Sequence, residues 1–227
     1  MNKIVIFGSA EIAELAKFYF EEERKAKVVA FTVDDDFIST DSFLGVPLIP
    51  FSKIEDLFPP SEFQMHIALS YSRLNKLREE KYNQVKDKGY ILKSFVSDRS
   101  VISSSSTIGD NCFILENQTI QPNVVVGDNV MMWSGNHIGH GSVIGNHTYF
   151  ASHVVLSGNC KIGERCFFGV NSTVVDFCVI EDDCFITMDS SVIKNLEKGS
   201  VTLASRSTVL SQEDKLAKKI KKNYFKM

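Results

Sequence analysis

The chain has 227 residues, of which 44% are hydrophobic, and carries a formal net charge of −3 at pH 7. These values are typical of an ordinary globular protein and predict no general attraction to nucleic acid or to an acidic membrane surface. No apolar run reaches about 18 residues, so the sequence predicts no transmembrane helix. The short apolar run at the N-terminus leads directly into charged residues, which is not typical of a signal peptide. We therefore expect a cytoplasmic protein.

The first 95 residues alternate between strand-like and helix-like patterns. Strands are predicted at 3–7, 28–33, 46–49, 66–69 and 90–95, and helices at 11–23 and 73–88 with a shorter helical stretch at 51–58. Such alternation predicts a small parallel α/β sheet of Rossmann-like type. We place the end of this domain near residue 95.

Polar residues follow three of these predicted strands. Gly8 and Ser9 follow the first strand, Asp35 lies in a triple aspartate after the second, and Ser70 and Tyr71 follow the strand at 66–69. Ligands of parallel sheets bind at the carboxyl ends of the strands, and a glycine turn before a helix can present backbone N–H groups to a phosphate. The turn lacks the further glycines of a dinucleotide fingerprint, so it is equally compatible with a tight strand–helix connection. The aspartates could bind a ribose or a base, or simply solvate a loop.

From residue 96 onward the chain has a period of six. The apolar residues at this period are Val96, Ile102, Ile108, Ile114, Ile120, Val126, Met132, Ile138, Ile144, Phe150, Leu156, Ile162, Phe168, Val174, Ile180, Ile186 and Val192. A helix would need a period near 3.6 and a plain strand a period of 2. A period of six predicts a parallel β-helix of hexapeptide repeats, in which one apolar residue of each short strand points inward.

The cysteines share one position of the repeat. Cys112, Cys160, Cys166, Cys178 and Cys184 each lie four residues after an inward apolar residue. Their number is odd and no CxxC pair occurs, which argues against disulfides and structural metal sites. We expect them to be small buried side chains, in agreement with a reducing compartment.

Most of the histidines are close together in the coil. His137, His140, His147 and His153 lie within 17 residues. His140 follows the inward Ile138 by two positions and should point outward. His147 and His153 share a repeat position on successive faces, so the four cannot bind one metal within a single chain. They could bind a metal across a subunit interface, or could be solvated or packed between subunits.

At this point the chain resembles a known family. An α/β domain followed by a six-residue coil with the run His137-x-x-His140-Gly-Ser-Val-Ile-Gly145 is similar to bacterial sugar acyltransferases of the sialic acid O-acetyltransferase type and to nucleotide-aminosugar N-acetyltransferases such as that of the bacillosamine pathway. The resemblance extends from Lys3 to about Gly199. It implies a left-handed β-helix, a homotrimer, acetyl-CoA bound in the groove between neighbouring coils, and a nucleotide-linked sugar bound by the N-terminal domain, without a metal.

The resemblance also assigns roles to residues. His140 matches the general base that takes the proton of the attacking sugar amine or hydroxyl, a role that a neutral imidazole suits near pH 7. The backbone N–H of Gly158 matches the oxyanion donor, and Ser157, Gly158 and Gly169 match the cofactor-binding segment. Gly8, Ser9, Asp35, Ser70 and Tyr71 form the corresponding substrate-binding set.

The chain departs from the family pattern near these positions. An acidic residue often follows the base, whereas here Gly141 follows His140. Tyr149 and Ile12 replace two further histidines, and residues 199–204 replace a Gly-x-Pro-Ala-Lys segment. We therefore consider that Asn136, His147 or His153 of a neighbouring subunit could orient His140, with Asn136 as the candidate for the catalytic set.

The organisation predicted from the sequence is a nucleotide-sugar-binding domain at 1–95, a β-helical acyltransferase domain at 96–210 and a helical tail at 211–227. The tail is basic and could be a solvated closing helix or could contact the CoA phosphates. The function predicted is transfer of an acetyl group from acetyl-CoA to the amino group of a nucleotide-linked deoxysugar in the synthesis of surface polysaccharide. Alternatives are O-acetylation of a sugar and a non-catalytic protein that binds a nucleotide sugar.

Overall fold

The computed structural model of the chain describes residues 3–205 and 208–225. It has two regions, an N-terminal α/β domain and a parallel β-helix, followed by a short helix. The fold class predicted from the sequence is confirmed.

The N-terminal domain is built on one small sheet. Its strands are β1 (Lys3–Phe7), β2 (Lys27–Val33), β3 (Ser42–Phe43), β4 (Val46–Pro50) and β5 (Gln64–Ile67), in the order β3-β4-β2-β1-β5. The helices are α1 (Glu11–Glu22), α2 (Ile54–Leu57) and α3 (Lys76–Asp87), with single 3₁₀ turns at Asp35–Phe37 and Phe51–Lys53. Strand β1, which lies between β2 and β5, is a run of apolar residues because both of its faces are buried.

Three features of this domain differ from the prediction. Strand β3 pairs antiparallel with β4 at the edge of the sheet and was not predicted. Residues 90–95 do not form a strand of this sheet; Leu92 makes an isolated bridge to Met65. Helix α3 begins three residues later than predicted because Arg73, Leu74 and Asn75 adopt left-handed φ angles of 54°, 52° and 65°. Nothing in the residue pattern predicted this conformation, which is uncommon for residues other than glycine.

The coil carries two-residue strands on three faces. Face 1 holds β6 (Phe95–Val96), β9 (Phe113–Ile114), β12 (Met131–Met132), β15 (Tyr149–Phe150), β18 (Phe167–Phe168), β21 (Phe185–Ile186) and β23 (Val201–Thr202). Face 2 holds β7 (Val101–Ile102), β10 (Thr119–Ile120), β13 (His137–Ile138), β16 (Val155–Leu156), β19 (Thr173–Val174) and β22 (Ser191–Val192). Face 3 holds β8 (Thr107–Ile108), β11 (Val125–Val126), β14 (Val143–Ile144), β17 (Lys161–Ile162) and β20 (Val179–Ile180).

From β6 to β19, each strand pairs in parallel with the strand 18 residues further along the chain, as Thr119 pairs with His137. At the end of the coil, β21 pairs with β23, and Phe185 lies opposite Val201. The second residue of nearly every strand points inward, and together these residues form one continuous apolar core. The five cysteines are free and buried in the coil. Their burial agrees with the prediction that they are small interior side chains.

Three corners join the faces. We call the corner between faces 1 and 2 corner A, that between faces 2 and 3 corner B, and that between faces 3 and 1 corner C. Through most of the coil, one residue of each corner has a left-handed φ, for example Asn129 at 58° and Asn159 at 57°. Asparagine and glycine tolerate this conformation well, and they occupy most of these positions.

Face 1 of the coil packs against the N-terminal domain. The outward side chains of Phe95, Phe113 and Met131 are buried in a cluster shared with helix α1 and strand β2. Outward valines on faces 2 and 3, such as Val101 and Val125, are exposed. The domain therefore covers one face of the first coils and leaves the other two faces open.

The tail forms helix α4 (Lys215–Phe225). The predicted helix extended to Met227, and the last two residues lie outside the described part of the chain. Within residues 3–205 and 208–225, no helix combines the length and apolar character that a membrane span requires.

Candidate active site

His140 is an exposed histidine at corner B, directly after strand β13. Its backbone N–H donates to the side-chain oxygen of Gln121 at 2.9 Å, and its ring Nδ1 lies 3.1 Å from the same oxygen. Gln121 occupies corner B of the preceding coil. The ring is thus held through Nδ1, while Nε2 has no hydrogen-bond partner among the described residues.

Gly158 lies next to the His140 ring in the following coil. A Cβ added at Gly158 would come within 2.7 Å of Cε1 and 3.0 Å of Nε2 of His140. Only glycine leaves room for the ring in this position. Gly158 is therefore the platform against which the imidazole packs.

The backbone N–H of Gly158 donates to the carboxylate of Asp176 at 2.8 Å. The resemblance assigns this N–H the role of oxyanion donor. In this structure it already has an acceptor, so the assigned role would require this hydrogen bond to be released. Asp176 lies in the same corner one coil further on and is exposed.

The predicted cofactor-binding residues do not form one group within the chain. Ser157 and Gly158 share corner B with His140, and the Ser157 carbonyl accepts a hydrogen bond from Ser142 at 3.2 Å. Gly169 lies at corner A, where a Cβ would come within 2.4 Å of the Met188 nitrogen. A ligand contacting all three residues would have to bridge two corners, or two subunits.

An apolar cavity of about 600 Å³ lies between the N-terminal domain and face 1. Tyr71 packs edge-on against Tyr149 and Phe167, which stack on each other with ring centroids 5.1 Å apart. Trp133 and Gly169 also line the cavity. Tyr71, predicted as a substrate residue of the sheet edge, thus belongs to an aromatic cavity that reaches the coil.

A second cavity, of about 270 Å³, lies at the carboxyl ends of β1 and β2. Gly8, Ser9 and Asp34 line it, together with the apolar side chains of Phe7, Val33, Phe37, Leu69 and Leu77. Gly8 has a φ of 128°, and a Cβ there would lie 2.8 Å from the Ala68 carbonyl oxygen. The buried Lys81 donates to Asp34 at 2.6 Å and also lines the cavity.

Asp35 and Ser70 lie outside this cavity. The Asp35 carboxylate accepts hydrogen bonds from the hydroxyl of Ser52 at 2.6 Å and from its backbone N–H at 3.2 Å. These bonds lower the pKa of Asp35 and hold the start of the Phe51–Lys53 turn. The Ser70 carbonyl accepts from Arg78 at 2.8 Å. The acidic residue of the cavity is therefore Asp34 rather than the predicted Asp35.

The residues considered for orienting His140 have other contacts. The amide of Asn136 is buried, donating to the Trp133 carbonyl and accepting from the Val154 N–H at 2.7 Å. It ties two coils together at corner A of its own chain, and its assignment to the catalytic set of a neighbouring subunit stays a prediction. His153 is also at corner A, where its ring lies against Gly135.

His147 is buried at corner C beneath helix α3. Its Nδ1 lies 2.9 Å from the amide nitrogen of Asn129, and its backbone carbonyl accepts from Arg78 at 2.7 Å. Burial, together with the nearby positive charge of Arg78, lowers its pKa to about 4. His147 is a structural residue of its own chain. Among the described residues, no group of three His, Cys, Asp or Glu side chains could hold a metal ion.

Sequence reasoning missed Gln121, Asp34 and Lys81. Gln121 precedes His140 by 19 residues, one full coil plus one position, so the 18-residue turn length was the signal that could have found it. Lys81 lies on helix α3 and reaches the sheet edge only through the packing of that helix. No local pattern separated Asp34 from its neighbouring aspartates.

Comparisons with known proteins match part of the coil by sequence and most of the chain by structure. Residues 123–158 match the family model of the bacterial transferase hexapeptide (six repeats), and residues 160–188 match that of the hexapeptide repeat of succinyl-transferase. No curated protein sequence matches the chain significantly.

Several solved structures share the fold. The acetyltransferase domain of PglB from Neisseria gonorrhoeae has a TM-score of 0.78 at 17% identity, over 88% of this chain and 96% of that one. PerB from Caulobacter crescentus, in complex with CoA and GDP-perosamine, has a TM-score of 0.78 at 20% identity, over 88% of this chain and 93% of that one. WeeI from Acinetobacter baumannii has a TM-score of 0.59 at 15% identity, over 90% of this chain and 97% of that one.

These similarities agree with the period of six and with the α/β domain. The coil carries the repeat of bacterial hexapeptide transferases, and both regions together have the fold of the acetyltransferases just described. The resemblance stated from the sequence is confirmed for the repeat and for the fold.

Proposed function

We propose that the protein transfers an acetyl group from acetyl-CoA to the amino group of a nucleotide-linked amino-deoxysugar, with His140 as the general base. The observation that carries the proposal is the exposed His140 ring, positioned by Gln121 and by Gly158 at an open corner of the coil. An amine that attacks a thioester carbonyl must lose a proton, and a neutral imidazole can accept it near pH 7.

The cavity at the carboxyl ends of β1 and β2 is the proposed nucleotide site. Its apolar walls suit the faces of a flat base, and the Asp34 carboxylate at its edge can accept a hydrogen bond from a base or a ribose. Lys81 supplies a positive charge in the same cavity. PerB, which shares the fold, was solved with GDP-perosamine and CoA, a pair of ligands of the proposed kinds.

The acyl donor is proposed to bind along corner B, beside Ser157, Gly158 and His140. Since Gly169 and the aromatic cavity lie at a different edge of the coil, we propose that a neighbouring subunit contributes that edge in a homotrimer. Outward valines favour such packing; Val101, Val125, Val143, Val155 and Val179 are each at least 37% exposed on faces 2 and 3. The biological setting proposed is bacterial surface polysaccharide synthesis in the cytoplasm.

The Gly158 N–H can serve as an oxyanion donor only if its bond to Asp176 is released when substrate binds. Without that release, the role of Gly158 is to accommodate the imidazole. O-acetylation of a sugar is the nearest alternative function, because His140 can serve a hydroxyl as well as an amine.

The test is a thiol-release assay with acetyl-CoA against a panel of nucleotide-linked aminosugars, with products identified by mass spectrometry. We expect one acetyl group to be added to one amine, and the activity to be lost in His140→Asn. Acetylation of a hydroxyl instead would establish the alternative. If neither acceptor reacts while His140→Asn still binds the nucleotide sugar as tightly as the original protein, the protein is a binding module and the proposal is wrong.

A further inference from the structure

Gln121 stands where an acidic partner of the base would be expected to act, although it is distant from His140 in sequence. Its side-chain oxygen faces two nitrogens of His140, the backbone nitrogen at 2.9 Å and ring Nδ1 at 3.1 Å. Residue 141, directly after the histidine, is glycine and provides no side chain. Gln121 is therefore the side chain that hydrogen-bonds the imidazole in this chain.

The chemistry of the backbone fixes which Gln121 atom faces His140. Amide oxygen and nitrogen atoms are distinguished by their hydrogen-bond partners. A backbone N–H can only donate, so the Gln121 atom at 2.9 Å must be the oxygen. The same oxygen is the neighbour of ring Nδ1. Because an amide oxygen can only accept, Nδ1 must carry a proton.

We propose that Gln121 is a positioning residue that holds neutral His140 in the Nδ1–H tautomer, leaving the Nε2 lone pair to accept the substrate proton. This inference rests on the proposed role of His140 as base. A histidine in the other tautomer would present an N–H to the attacking amine and could not remove its proton. The direction of the ring is fixed at the same time, by Gln121 on one side and Gly158 on the other.

A neutral amide positions the ring without compensating the charge of the imidazolium that forms when His140 accepts a proton. A carboxylate in that place would do both. The charged group beyond Gly158 is Asp176, whose carboxylate is bonded to the Gly158 N–H. Replacing Gln121 by glutamate therefore places a negative charge next to Nδ1.

The first measurement is made on the protein without substrate. The ring-nitrogen NMR signals of His140 are assigned by comparison with His140→Asn. Recorded at alkaline pH, where the imidazole is neutral, they report which ring nitrogen carries the proton. We expect the Nδ1–H tautomer in the original protein and in Gln121→Glu, and a shift toward the Nε2–H tautomer in Gln121→Ala. A predominant Nε2–H form in the original protein would overturn the inference.

The second measurement is thiol release. Gln121→Ala should lower kcat by about 100-fold with little change in the KM for acetyl-CoA, as expected for a misdirected catalytic group. Gln121→Glu should retain activity, with the acid limb of its kcat profile moved to higher pH. Thr119→Ala, an exposed position of the same coil, is the control and should match the original protein. An unchanged kcat in Gln121→Ala would contradict the inference.

The two proposals fail in different ways. If the original protein acetylates no acceptor, the proposed function is wrong, and the tautomer measurement still decides whether Gln121 controls the ring. If acetylation depends on His140 but not on Gln121, the function stands and the positioning role is wrong.

Discussion

Corners B and C of the coil each carry a histidine, and the two histidines have opposite environments. His140 at corner B is exposed and contacts Gln121 and Gly158, while His147 at corner C is buried beneath α3 with Arg78, Asn129 and Tyr82 around it. The repeat builds both corners in the same way. The two corners differ because the N-terminal domain packs on corner C and leaves corner B exposed to solvent. A histidine is available for chemistry in this fold where no domain covers its corner.

The cover of corner C depends on one buried arginine. The Arg78 side chain is fully buried and donates to the backbone carbonyls of Ser70, Asn129 and His147, and burial lowers its pKa to about 10. Arg78→Met should leave these carbonyls unsatisfied and reduce the free energy of unfolding by about 3 kcal/mol, measured by urea denaturation. The matched control is Arg73→Met, which removes an exposed ion pair with Glu80 and should change stability by less than about 1 kcal/mol. Equal effects of the two substitutions would contradict the role of Arg78.

Burial of histidine under the domain predicts a loss of stability in acid. His66 and His147 each have a pKa lowered to about 4, chiefly by burial, from an unfolded value of 6.5. Between these values the unfolded chain binds more protons, so the stability present above pH 6.5 falls as the pH drops toward 4, by up to about 3 kcal/mol per histidine. His147→Asn, which suits the left-handed φ of 63°, should remove part of this fall in urea titrations at pH 7 and pH 4.5. A pH dependence identical to that of the original protein would show that His147 is not responsible.

Replacing glycine should affect activity at corner B and stability at corner A. A Cβ at Gly158 meets the exposed ring of His140, whereas a Cβ at Gly169 meets the backbone of Met188 and Thr187. Gly158→Ala should displace the ring and lower kcat by about 100-fold with little change in Tm. Gly169→Ala should destabilise the fold by about 1–3 kcal/mol, measured by thermal unfolding. The comparison fails if Gly158→Ala has full activity.

The smallest expected effect is at Phe177, a residue of corner B. Phe177 is 72% exposed and has a φ of 61°, a conformation that disfavours a bulky side chain. Phe177→Asn should relieve this strain and raise stability by about 1 kcal/mol. Val175→Asn, two residues earlier at an exposed position without a left-handed φ, is the control and should not stabilise the protein. A lower Tm for Phe177→Asn would mean that the ring makes contacts that outweigh the strain.

The sequence predicted the coil well because its period is a local property. The six-residue period alone identifies every inward residue from Val96 to Val192. The outward direction of His140 is then predicted from its position two residues after the inward Ile138. The left-handed corner positions were not recognised, since His, Arg and Phe interrupt the Asn, Asp and Gly that occupy most of them. The corners therefore depend on the geometry of the coil more than on one residue type.

The candidate site was harder to predict because its contacts cross coils and domains. The bond from His140 to Gln121 joins residues 19 positions apart, and Lys81 reaches Asp34 across 47 positions. Asn136 was predicted to orient His140 of a neighbouring subunit, and the sequence did not show that its amide also ties adjacent coils of its own chain together. Asp35 was chosen among three aspartates, although a one-residue shift decides which carboxylate faces the cavity and which holds Ser52.

The most direct test of the difference between the two corners is thiol release by two matched variants, His140→Asn and His147→Asn. We predict that His140→Asn loses at least about 100-fold in kcat, whereas His147→Asn keeps nearly the full kcat at pH 7. Equal losses in both variants, or full turnover in His140→Asn, would contradict the proposal that the open corner carries the chemistry and the covered corner stabilises the fold.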